Sequence, residues 1–328
     1  MPTADAAAPT FSVVVPLYNK RATVLRTLDS VLAQTFADFE LIIVDDGSTD
    51  GGAAMVEAHY GDARLRVHRQ ANAGPAAARN QGLALSRGAY VTFLDADDTW
   101  RPEYLQTATD VFAAHPECGA FTASFTVGAE KVDRWQALIP FGFTEGLYRL
   151  TPDTPREHLR HCVDAFNATT TAYRREVPMA LGGFFTEARS TLGEDVFLWV
   201  QVLLHHEIYR HMVPLAHYHT EDSELGIGAR KGALPIEPVL THPEAIRAGC
   251  PVPLRDTLEL WLAQQAARAA FMQLDRDDTV RARWLLARFP HISAWPSDHL
   301  RLRLRLALPR LWRLVRQVRR GRPTAATQ

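Results

Sequence analysis

The sequence predicts an α/β protein in which a mostly parallel sheet is flanked by helices and followed by a helical C-terminal extension. In the N-terminal third of the chain, apolar runs typical of buried strands alternate with segments whose apolar residues recur at helical spacing. This alternation favours parallel strands with helices on both faces. Three of the apolar runs also end in polar clusters, and ligands bind at that end of the strands in such sheets.

The elements of this part follow from local composition. Val24, Leu28 and Val31 recur at helical spacing, and the turn at 72–75 contains the Gly-Pro pair that precedes the third helix. The predicted strands cover residues 11–19, 39–44, 64–68 and 90–94, and the predicted helices cover residues 23–34, 53–59 and 76–85. The polar clusters that follow three of these strands are Pro16–Asn19, Asp45–Asp50 and Asp95–Asp98.

The rest of the chain yields more widely spaced elements. Strands are predicted at 121–127, 167–176 and 208–218, and helices at 193–204, 254–274 and 280–289. Residues 131–149 show no clear period and receive no assignment. The character of the chain changes near Ala229, and residues 234–238 have the composition of a linker. We therefore expect one domain over residues 10–228 and a helical, arginine-rich extension over residues 229–328.

Composition excludes several classes of protein. The formal net charge of −1 shows that the whole chain is not a polyanion binder, and a hydrophobic content of 47% is enough for a substantial core. The cysteines Cys118, Cys162 and Cys250 are far apart, which excludes a disulfide framework and suits a reducing compartment. Neither a signal peptide nor an apolar run near the ~20 residues of a membrane span is evident. A cytoplasmic location is expected.

Three carboxylates follow the fourth strand within four residues. One interpretation is a polar turn after a strand, with Asp98 capping a helix that begins near Arg101–Pro102. The other is a site for a hard cation. Side chains two residues apart at the end of a strand point the same way, so Asp95 and Asp97 could share Mg²⁺ or Mn²⁺ with a bound diphosphate.

Two common nucleotide-binding motifs are missing from the sequence. No G-x-G-x-x-G follows the first strand, and no G-x-x-x-x-G-K-[ST] occurs anywhere in the chain. A dinucleotide-binding fold and a P-loop enzyme are therefore disfavoured.

The three polar clusters and the turn at 72–75, with the sequences around them, resemble motifs of a known family, the family 2 glycosyltransferases with the GT-A fold. The resemblance covers the chain up to about residue 220, and its first four motifs occur in the order that the family shows. The matching segments are Ser12–Asn19 with Leu28–Phe36, Val44–Asp50, Asn72–Gly82, Leu94–Asp98 and, further on, Gly193–Trp199.

The resemblance implies a donor site for a nucleotide-sugar. Asp45 would accept a hydrogen bond from the base, which suits the N3–H of uracil and favours a UDP-sugar. Arg79 would contact the base or the diphosphate as a fixed cation, and Asp95 would lie near the ribose or the sugar. The residues implied at this site are Pro16, Tyr18, Asn19, Asp45, Asp46, Arg79, Asp95, Ala96 and Asp97. Capping of the next helix is the alternative for Asp46, as it is for Asp50.

The resemblance also implies the metal site and the catalytic base. Asp97 would ligate Mn²⁺ or Mg²⁺. The family often has a Y-R-x-H pattern after the last strand, from which residues 216–221 depart. His219 could still reach the metal or the diphosphate, and a surface position is the alternative for this histidine. Asp195 would be the general base that deprotonates an acceptor hydroxyl, and Glu194 would help to bind the acceptor. Val196 departs from the family pattern, which often has tryptophan there, and this affects the acceptor contact rather than the base.

The C-terminal segment is strongly cationic. After Asp298 the sequence contains nine arginines and no acidic residue, with leucines and valines interleaved. One interpretation is a basic amphipathic helix on an anionic membrane surface, kinked at Pro309. The other is a helix that packs on the main domain with its arginines in water. Nucleic-acid binding is less favoured than either, and no nucleic-acid partner is predicted.

The function that these observations favour is an inverting, metal-dependent glycosyltransferase. The processive polysaccharide synthases of the family that the chain resembles carry a Q-x-x-R-W motif and membrane spans, and the sequence shows neither. We therefore expect transfer of a single sugar to a lipid-linked or soluble glycan acceptor, as in surface-polysaccharide assembly. One alternative is a nucleotidyltransferase with a similar core, which would normally carry a glycine-rich loop after the first strand. Another is an inactive binding module, against which the intact Asp97 and Asp195 argue.

Overall fold

Ten strands form one mixed sheet within residues 8–187, 192–220 and 234–308, the parts of the chain described by the computed structural model. Along the chain, the strands are β1 Phe11–Leu17, β2 Phe39–Asp45, β3 Leu65–Arg69, β4 Tyr90–Phe93, β5 Thr99–Trp100, β6 Cys118–Val127, β7 Val132–Asp133, β8 Gly146–Tyr148, β9 Thr171–Arg174 and β10 Glu207–Tyr218. Their order in the sheet is β3-β2-β1-β4-β9-β6-β10-β5, while β7 pairs with β6 and β8 pairs with β10.

The first four strands in the sheet order are parallel, as the sequence predicted. Leu17 of β1 pairs with Asp45 of β2, and Val14 of β1 pairs with Phe93 of β4. The carboxyl ends of β1, β2 and β4 therefore lie at one edge of the sheet. This register brings the three predicted polar clusters to the same edge and confirms the predicted fold class.

The other half of the sheet is mixed. β9 lies between β4 and β6 and runs antiparallel to both, whereas β10 runs parallel to β6 and antiparallel to β5 and β8. The segment 131–149, which received no prediction, contains β7, a 3₁₀ helix at Gln136–Phe141 and β8. The strand predicted at 167–176 starts as a 3₁₀ turn at Ala168–Thr170 and becomes extended only at Thr171.

The helices fall where hydrophobic spacing placed them, with some additions. Those of the sheet-containing part are α1 Val24–Leu32, α2 Gly52–His59, α3 Pro75–Leu85, α4 Tyr104–Ala114, α5 Arg156–Leu159, α6 Glu176–Ala180, α7 Glu194–His205, α8 Pro238–Thr241 and α9 Pro243–Gly249. After them come α10 Arg255–Leu274, α11 Thr279–Arg288 and α12 Pro296–Ala307. The sequence did not predict α5, α6, α8 or α9, and the predicted linker at 234–238 contains the first residue of α8.

The described chain divides into two compact units. The described parts of the first are residues 8–220 (without 188–191) and 237–255, and those of the second are residues 234–236 and 256–308. In the first unit Val13, Val14 and Val15 are all fully buried. This burial on both faces of β1 explains why its sequence is continuously apolar rather than alternating.

The second unit is helical. Trp261 and Leu262 of α10, Leu285 of α11 and Leu302 of α12 are buried in it. Asp278 caps α11 by accepting a hydrogen bond from the Arg281 backbone N–H at 2.9 Å. In the described part of the chain, no helix is both long and apolar enough to cross a membrane. The predicted kink at Pro309 and the arginines that follow it lie outside the described residues.

A close contact between α3 and β1 gives a test of the packing that supports the site. A Cβ added at Gly82 would lie 2.2 Å from Cγ1 of the fully buried Val14. Alanine normally stabilises a helix interior by about 1 kcal/mol over glycine. Here the added methyl group would collide with a stiff valine side chain in a closely packed core, so steric repulsion should make the substitution destabilising. We expect Gly82→Ala to lower the free energy of unfolding by about 1–3 kcal/mol, as measured by urea denaturation.

The matched control for this test is Gly61→Ala, because a Cβ at Gly61 has no heavy atom within 4 Å. The control is expected to leave stability unchanged or slightly raised. A Gly82→Ala variant as stable as this control would show that α3 and β1 are not packed at this distance.

Candidate active site

The loops after β1 and β2 are joined by a reciprocal pair of hydrogen bonds. The backbone N–H of Asn19 donates to Ser48 Oγ at 3.1 Å, and Asn19 Oδ1 accepts from the Thr49 backbone N–H at 2.8 Å. Asn19 has a φ of 51°, a left-handed conformation that asparagine tolerates better than most residues. The predicted role of Asn19 in donor binding stays a prediction, and the structure gives it a role in fixing the two loops.

Asp45 lies at the end of β2 with its carboxylate almost fully buried. Its Oδ1 accepts a hydrogen bond from the Ser48 backbone N–H at 2.9 Å, and its Oδ2 is 3.9 Å from Nε of Arg69. The neighbouring strand β1 contains Pro16 opposite Val44 and is followed by Tyr18, which is half exposed. The three residues predicted to bind the base are therefore brought to one edge of the sheet.

Asp46 has a different environment. Its carboxylate accepts three hydrogen bonds of 2.8 Å, from the Gln70 side chain and from the backbone N–H groups of Ala73 and Gly74. Asp46 thus holds the turn that leads into α3, and it is Asp50 that accepts from the first backbone N–H of α2, that of Gly52, at 2.8 Å. The alternative of helix capping is therefore confirmed for Asp50 and wrong for Asp46, and the predicted nucleotide contact of Asp46 stays a prediction.

The carboxylates that follow β4 have distinct surroundings. Asp95 is one third exposed, whereas Asp97 is mostly buried and its Oδ2 lies 2.8 Å from Nζ of Lys20. Ala96 between them is buried, and its carbonyl accepts a hydrogen bond from Thr23 Oγ1 at 2.8 Å. The register of β1 and β4 therefore places these residues beside the loop after β1.

Asp98 is fully buried and does not cap a helix. Its Oδ2 accepts from Thr169 Oγ1 at 2.7 Å, and its Oδ1 accepts from the His219 backbone N–H at 3.3 Å. The helix that Asp98 would cap in one of the two interpretations begins later, at Tyr104, so that interpretation is wrong. Burial, together with the charges of Asp95 and Asp97, raises the pKa of Asp98 well above its usual range.

The residues at this edge fit a divalent cation carried by a diphosphate. Burial and the charge of Asp95 raise the pKa of Asp97, so a cation beside the pair would stabilise both carboxylates. In residues 8–187, 192–220 and 234–308, no three His, Cys, Asp or Glu side chains are grouped to hold a metal by themselves. Mg²⁺ needs no such cage, because it commonly binds one or two carboxylates together with substrate phosphates and water.

His219 lies at the same edge of the sheet. Its Nε2 is 3.1 Å from Thr99 Oγ1, and its ring meets that of His217 edge-on at 4.3 Å between centroids. Its backbone bond to Asp98 brings it into the carboxylate cluster, but its predicted contact with a metal or diphosphate stays a prediction.

Arg79 of α3 connects the two sets of acidic residues. Its Nη2 lies 2.7 Å from Asp95 Oδ1, and its Nη1 lies 3.3 Å from Glu194 Oε1 in the first turn of α7. The guanidinium is buried and lies over the ring of Phe184, with 5.4 Å between its central carbon and the ring centroid. Arg79 was predicted to contact the donor, and the structure shows it joined to carboxylates that are far apart in the sequence.

The adjacent residue of α3 fixes the loop before α7. Asn80 donates to the Phe184 carbonyl and accepts from the Phe184 backbone N–H, both at 2.8 Å. The backbone N–H of Phe185 in turn donates to the Glu194 carbonyl at 3.2 Å. Together with Arg79, these bonds fix the start of α7 relative to the carboxyl end of β4.

Asp195 follows Glu194 in the first turn of α7 and is half-buried. Its Oδ1 accepts from the Val196 backbone N–H at 2.8 Å. Burial, followed by the charge of Glu194, raises the pKa of Asp195 to about 7, although Arg79 and the Val196 hydrogen bond act in the opposite direction. A carboxylate with this pKa can accept a proton near neutral pH. Glu194 itself faces Arg79, and its predicted acceptor contact stays a prediction.

Sequence reasoning missed two contributors to the site. For Lys20, which ion-pairs with Asp97, the sequence contained a signal, because this cation directly follows the polar cluster Pro16–Asn19. Thr169, which donates to Asp98, carried none, because its position in a short 3₁₀ turn has no recognisable period.

The mixed sheet flanked by helices has the GT-A fold, as the similarity to two solved structures shows. The structure is similar to that of S. aureus TarS 1–349 in complex with UDP-GlcNAc, with a TM-score of 0.57 and 21% identity over 80% of this chain and 71% of that one. It is also similar to the mannosyltransferase PcManGT from Pyrobaculum calidifontis in complex with GDP-Man and Mn²⁺. There the TM-score is 0.53, with 22% identity over 93% of this chain and 88% of that one.

The chain belongs to glycosyl transferase family 2, whose model matches residues 12–177. It is 43% identical over 103 residues to the uncharacterized glycosyltransferase alr2836 of Nostoc sp., a match that covers 31% of this chain and 32% of that protein. It is 40% identical over 98 residues to the glycosyltransferase GlyG of Streptococcus pneumoniae, covering 29% of this chain and 33% of that protein. The matched part thus spans about a third of the length of these relatives.

Proposed function

We propose that this protein is an inverting, metal-dependent glycosyltransferase that moves one sugar from a nucleotide-sugar to an acceptor hydroxyl. The observation that carries the proposal is the connection through Arg79. One buried guanidinium links Asp95, at the end of β4, to the helix start that holds Asp195, whose pKa is raised to about 7. This connection supports a site in which a carboxylate pair would bind a diphosphate beside a base that would act near neutral pH.

The donor that we propose is a UDP-sugar. Asp45, Pro16 and Tyr18 lie together at the edge where a base would stack and accept or donate hydrogen bonds. The solved relatives give general support for a nucleotide-sugar, since TarS is in complex with UDP-GlcNAc and PcManGT with GDP-Man. Asp95 and Asp97 would hold the diphosphate through Mg²⁺ or Mn²⁺, which would supply positive charge to the leaving group.

The catalytic step that we propose is a single displacement. Asp195 accepts the proton of the acceptor hydroxyl while that oxygen forms a bond to the anomeric carbon, and the bond from this carbon to the diphosphate oxygen breaks. One displacement inverts the anomeric configuration. Arg79 keeps Asp95 and α7 in register during this step, so its role is positioning. The acceptor that we propose is a lipid-linked or soluble glycan of a surface polysaccharide.

Calorimetry of nucleotide binding tests the donor site. UDP and GDP are titrated into the wild type and into Asp97→Asn, each with and without Mn²⁺, and Asp110→Asn on the surface of α4 is the matched control. We expect UDP to bind more tightly than GDP and to lose at least tenfold in affinity when either the metal or the Asp97 charge is removed, since a hydrogen bond or contact to a charged group contributes about 1.5–3 kcal/mol. The control should bind as the wild type does.

Three results of this experiment would count against the proposal. Binding that needs neither the metal nor Asp97 would exclude the metal mechanism. Tighter binding of GDP would replace the proposed donor with a GDP-sugar. Failure of the folded protein to bind either nucleotide would remove the donor site altogether.

A further inference from the structure

The second unit contains an open, cationic groove between two of its helices. The groove has a volume of about 540 Å³ and is lined by Arg283 and Ala287 of α11 and by His299, Arg303 and Ala307 of α12, among others. Residues four apart share one face of a helix. Each helix therefore turns one line of side chains, with an arginine in it, toward the groove.

These arginines differ from their neighbours in their partners. Arg281 pairs with Asp278, and the buried Arg305 pairs with Asp275. In the described part of the chain, Arg283 and Arg303 have no such ion pair. Helix α11 contains no acidic residue, and α12 contains one, Asp298 in its first turn. The groove therefore presents positive charge that the described residues do not neutralise.

Large apolar side chains are exposed on the same two helices. On α11, Val280 and Trp284 are 76% and 40% exposed. On α12 and its C-cap, Leu300, Leu304 and Leu308 are 60%, 52% and 50% exposed, again with a spacing of four residues. A line of exposed apolar residues beside a line of arginines is the pattern of helices that lie in the interface of a bilayer.

We propose that the α11–α12 face of the second unit binds the surface of an anionic phospholipid bilayer. Arg283 and Arg303 hold a lipid phosphate in the groove, since guanidinium groups match phosphate geometry. The exposed leucines of α12 and Trp284 enter the layer between headgroups and acyl chains. This inference uses no residue of the candidate active site, so it stands apart from the proposed function.

Two further observations favour a lipid surface. Beyond Ala307, the sequence adds the arginines Arg310, Arg313, Arg316, Arg319, Arg320 and Arg322 without an acidic residue, which increases the attraction to an anionic surface. A nucleic acid would also attract arginines, but protein–DNA interfaces are more polar than protein–protein interfaces. The exposed Val280, Leu300 and Leu304 have no place in such an interface.

Co-sedimentation of the full chain with vesicles tests this proposal. One set of vesicles contains phosphatidylcholine alone, and the other contains phosphatidylcholine mixed with phosphatidylglycerol. We expect the wild type to bind the anionic vesicles and the double variant Arg283→Gln/Arg303→Gln to bind them about 30-fold more weakly. The control Arg101→Gln/Arg268→Gln removes the same charge from two exposed positions that do not line the groove, and it should bind nearly as the wild type does.

A second variant tests the apolar part of the surface. Leu300→Ser/Leu304→Ser alters two exposed side chains, so it should fold normally and still bind anionic vesicles more weakly. Equal binding of the wild type to neutral and anionic vesicles would overturn the proposal. So would an equal loss in the groove variant and its control. Tight binding to duplex DNA that is lost in Arg283→Gln/Arg303→Gln would assign the groove to nucleic acid instead.

Discussion

Replacing Asp195 with asparagine is expected to lower kcat by about 10²- to 10⁴-fold, because the variant cannot accept the acceptor proton. Asparagine has nearly the same shape and can still accept the Val196 backbone hydrogen bond, so the helix start should be retained. The measurement is the rate of UDP release from a UDP-sugar in the presence of acceptor. UDP affinity, measured separately by calorimetry, should be unchanged.

The pH dependence of the wild type follows from the same residue. Asp195 acts as a base only when deprotonated, and its pKa is raised to about 7. The rate should therefore rise about tenfold per pH unit below pH 7 and level off above it. A rate that is flat between pH 5 and pH 8 in the wild type, or an Asp195→Asn variant with normal kcat, would exclude Asp195 as the base.

Replacing Arg79 with methionine is expected to destabilise the fold by about 3–5 kcal/mol, because it leaves the buried Glu194 and the partly buried Asp95 without their counter-charge. Arg79 and Glu194 are both buried, and no other cation is within ion-pair distance of Glu194 among the described residues. The measurement is the free energy of unfolding in urea at neutral pH. The free energy of unfolding of Arg79→Lys should lie between those of the wild type and Arg79→Met. Lysine keeps the charge but lacks the forked guanidinium that reaches Asp95 and Glu194 together.

The control for this prediction is Arg69→Met. Arg69 makes two hydrogen bonds to Glu57, at 2.9 Å and 2.6 Å, between side chains that are both about half exposed. Its contact to Asp45 is longer, at 3.9 Å, and makes no hydrogen bond. Exposed pairs contribute about 0–1 kcal/mol, so this loss should be small. If Arg79→Met lost no more stability than Arg69→Met, Arg79 could not be what holds α7 to the end of β4.

Local pattern was sufficient for much of the fold. Buried parallel strands have continuous apolar runs because helices cover both faces, and β1 and β2 show this in Val13–Val15 and Leu41–Val44. Since the carboxyl ends of parallel strands meet at one edge, the clusters at Asp45–Asp50 and Asp95–Asp98 could be placed together without coordinates. Asp195 could be placed in the first turn of a helix for a similar reason, from the spacing of the apolar residues after it.

Short elements left too little pattern for such inference. The strands β7 and β8 have two and three residues, and a period cannot be recognised over so short a segment. The antiparallel insertion of β9 between β4 and β6 was also hidden, because strand direction depends on the connections rather than on the strand's own residues.

By itself, the sequence determined which residues are available to the site and at which end of the sheet they lie. Only the tertiary structure decided the partner of each charge. Arg79 joins Asp95 to Glu194, a residue 115 positions away, and Asp98 is buried against Thr169 instead of capping a helix. Hydrophobic periodicity predicts which face of a helix or strand is buried, but it does not predict which distant side chains that element will contact. The electrostatics of the site depend on those contacts, and so does the raised pKa of Asp195.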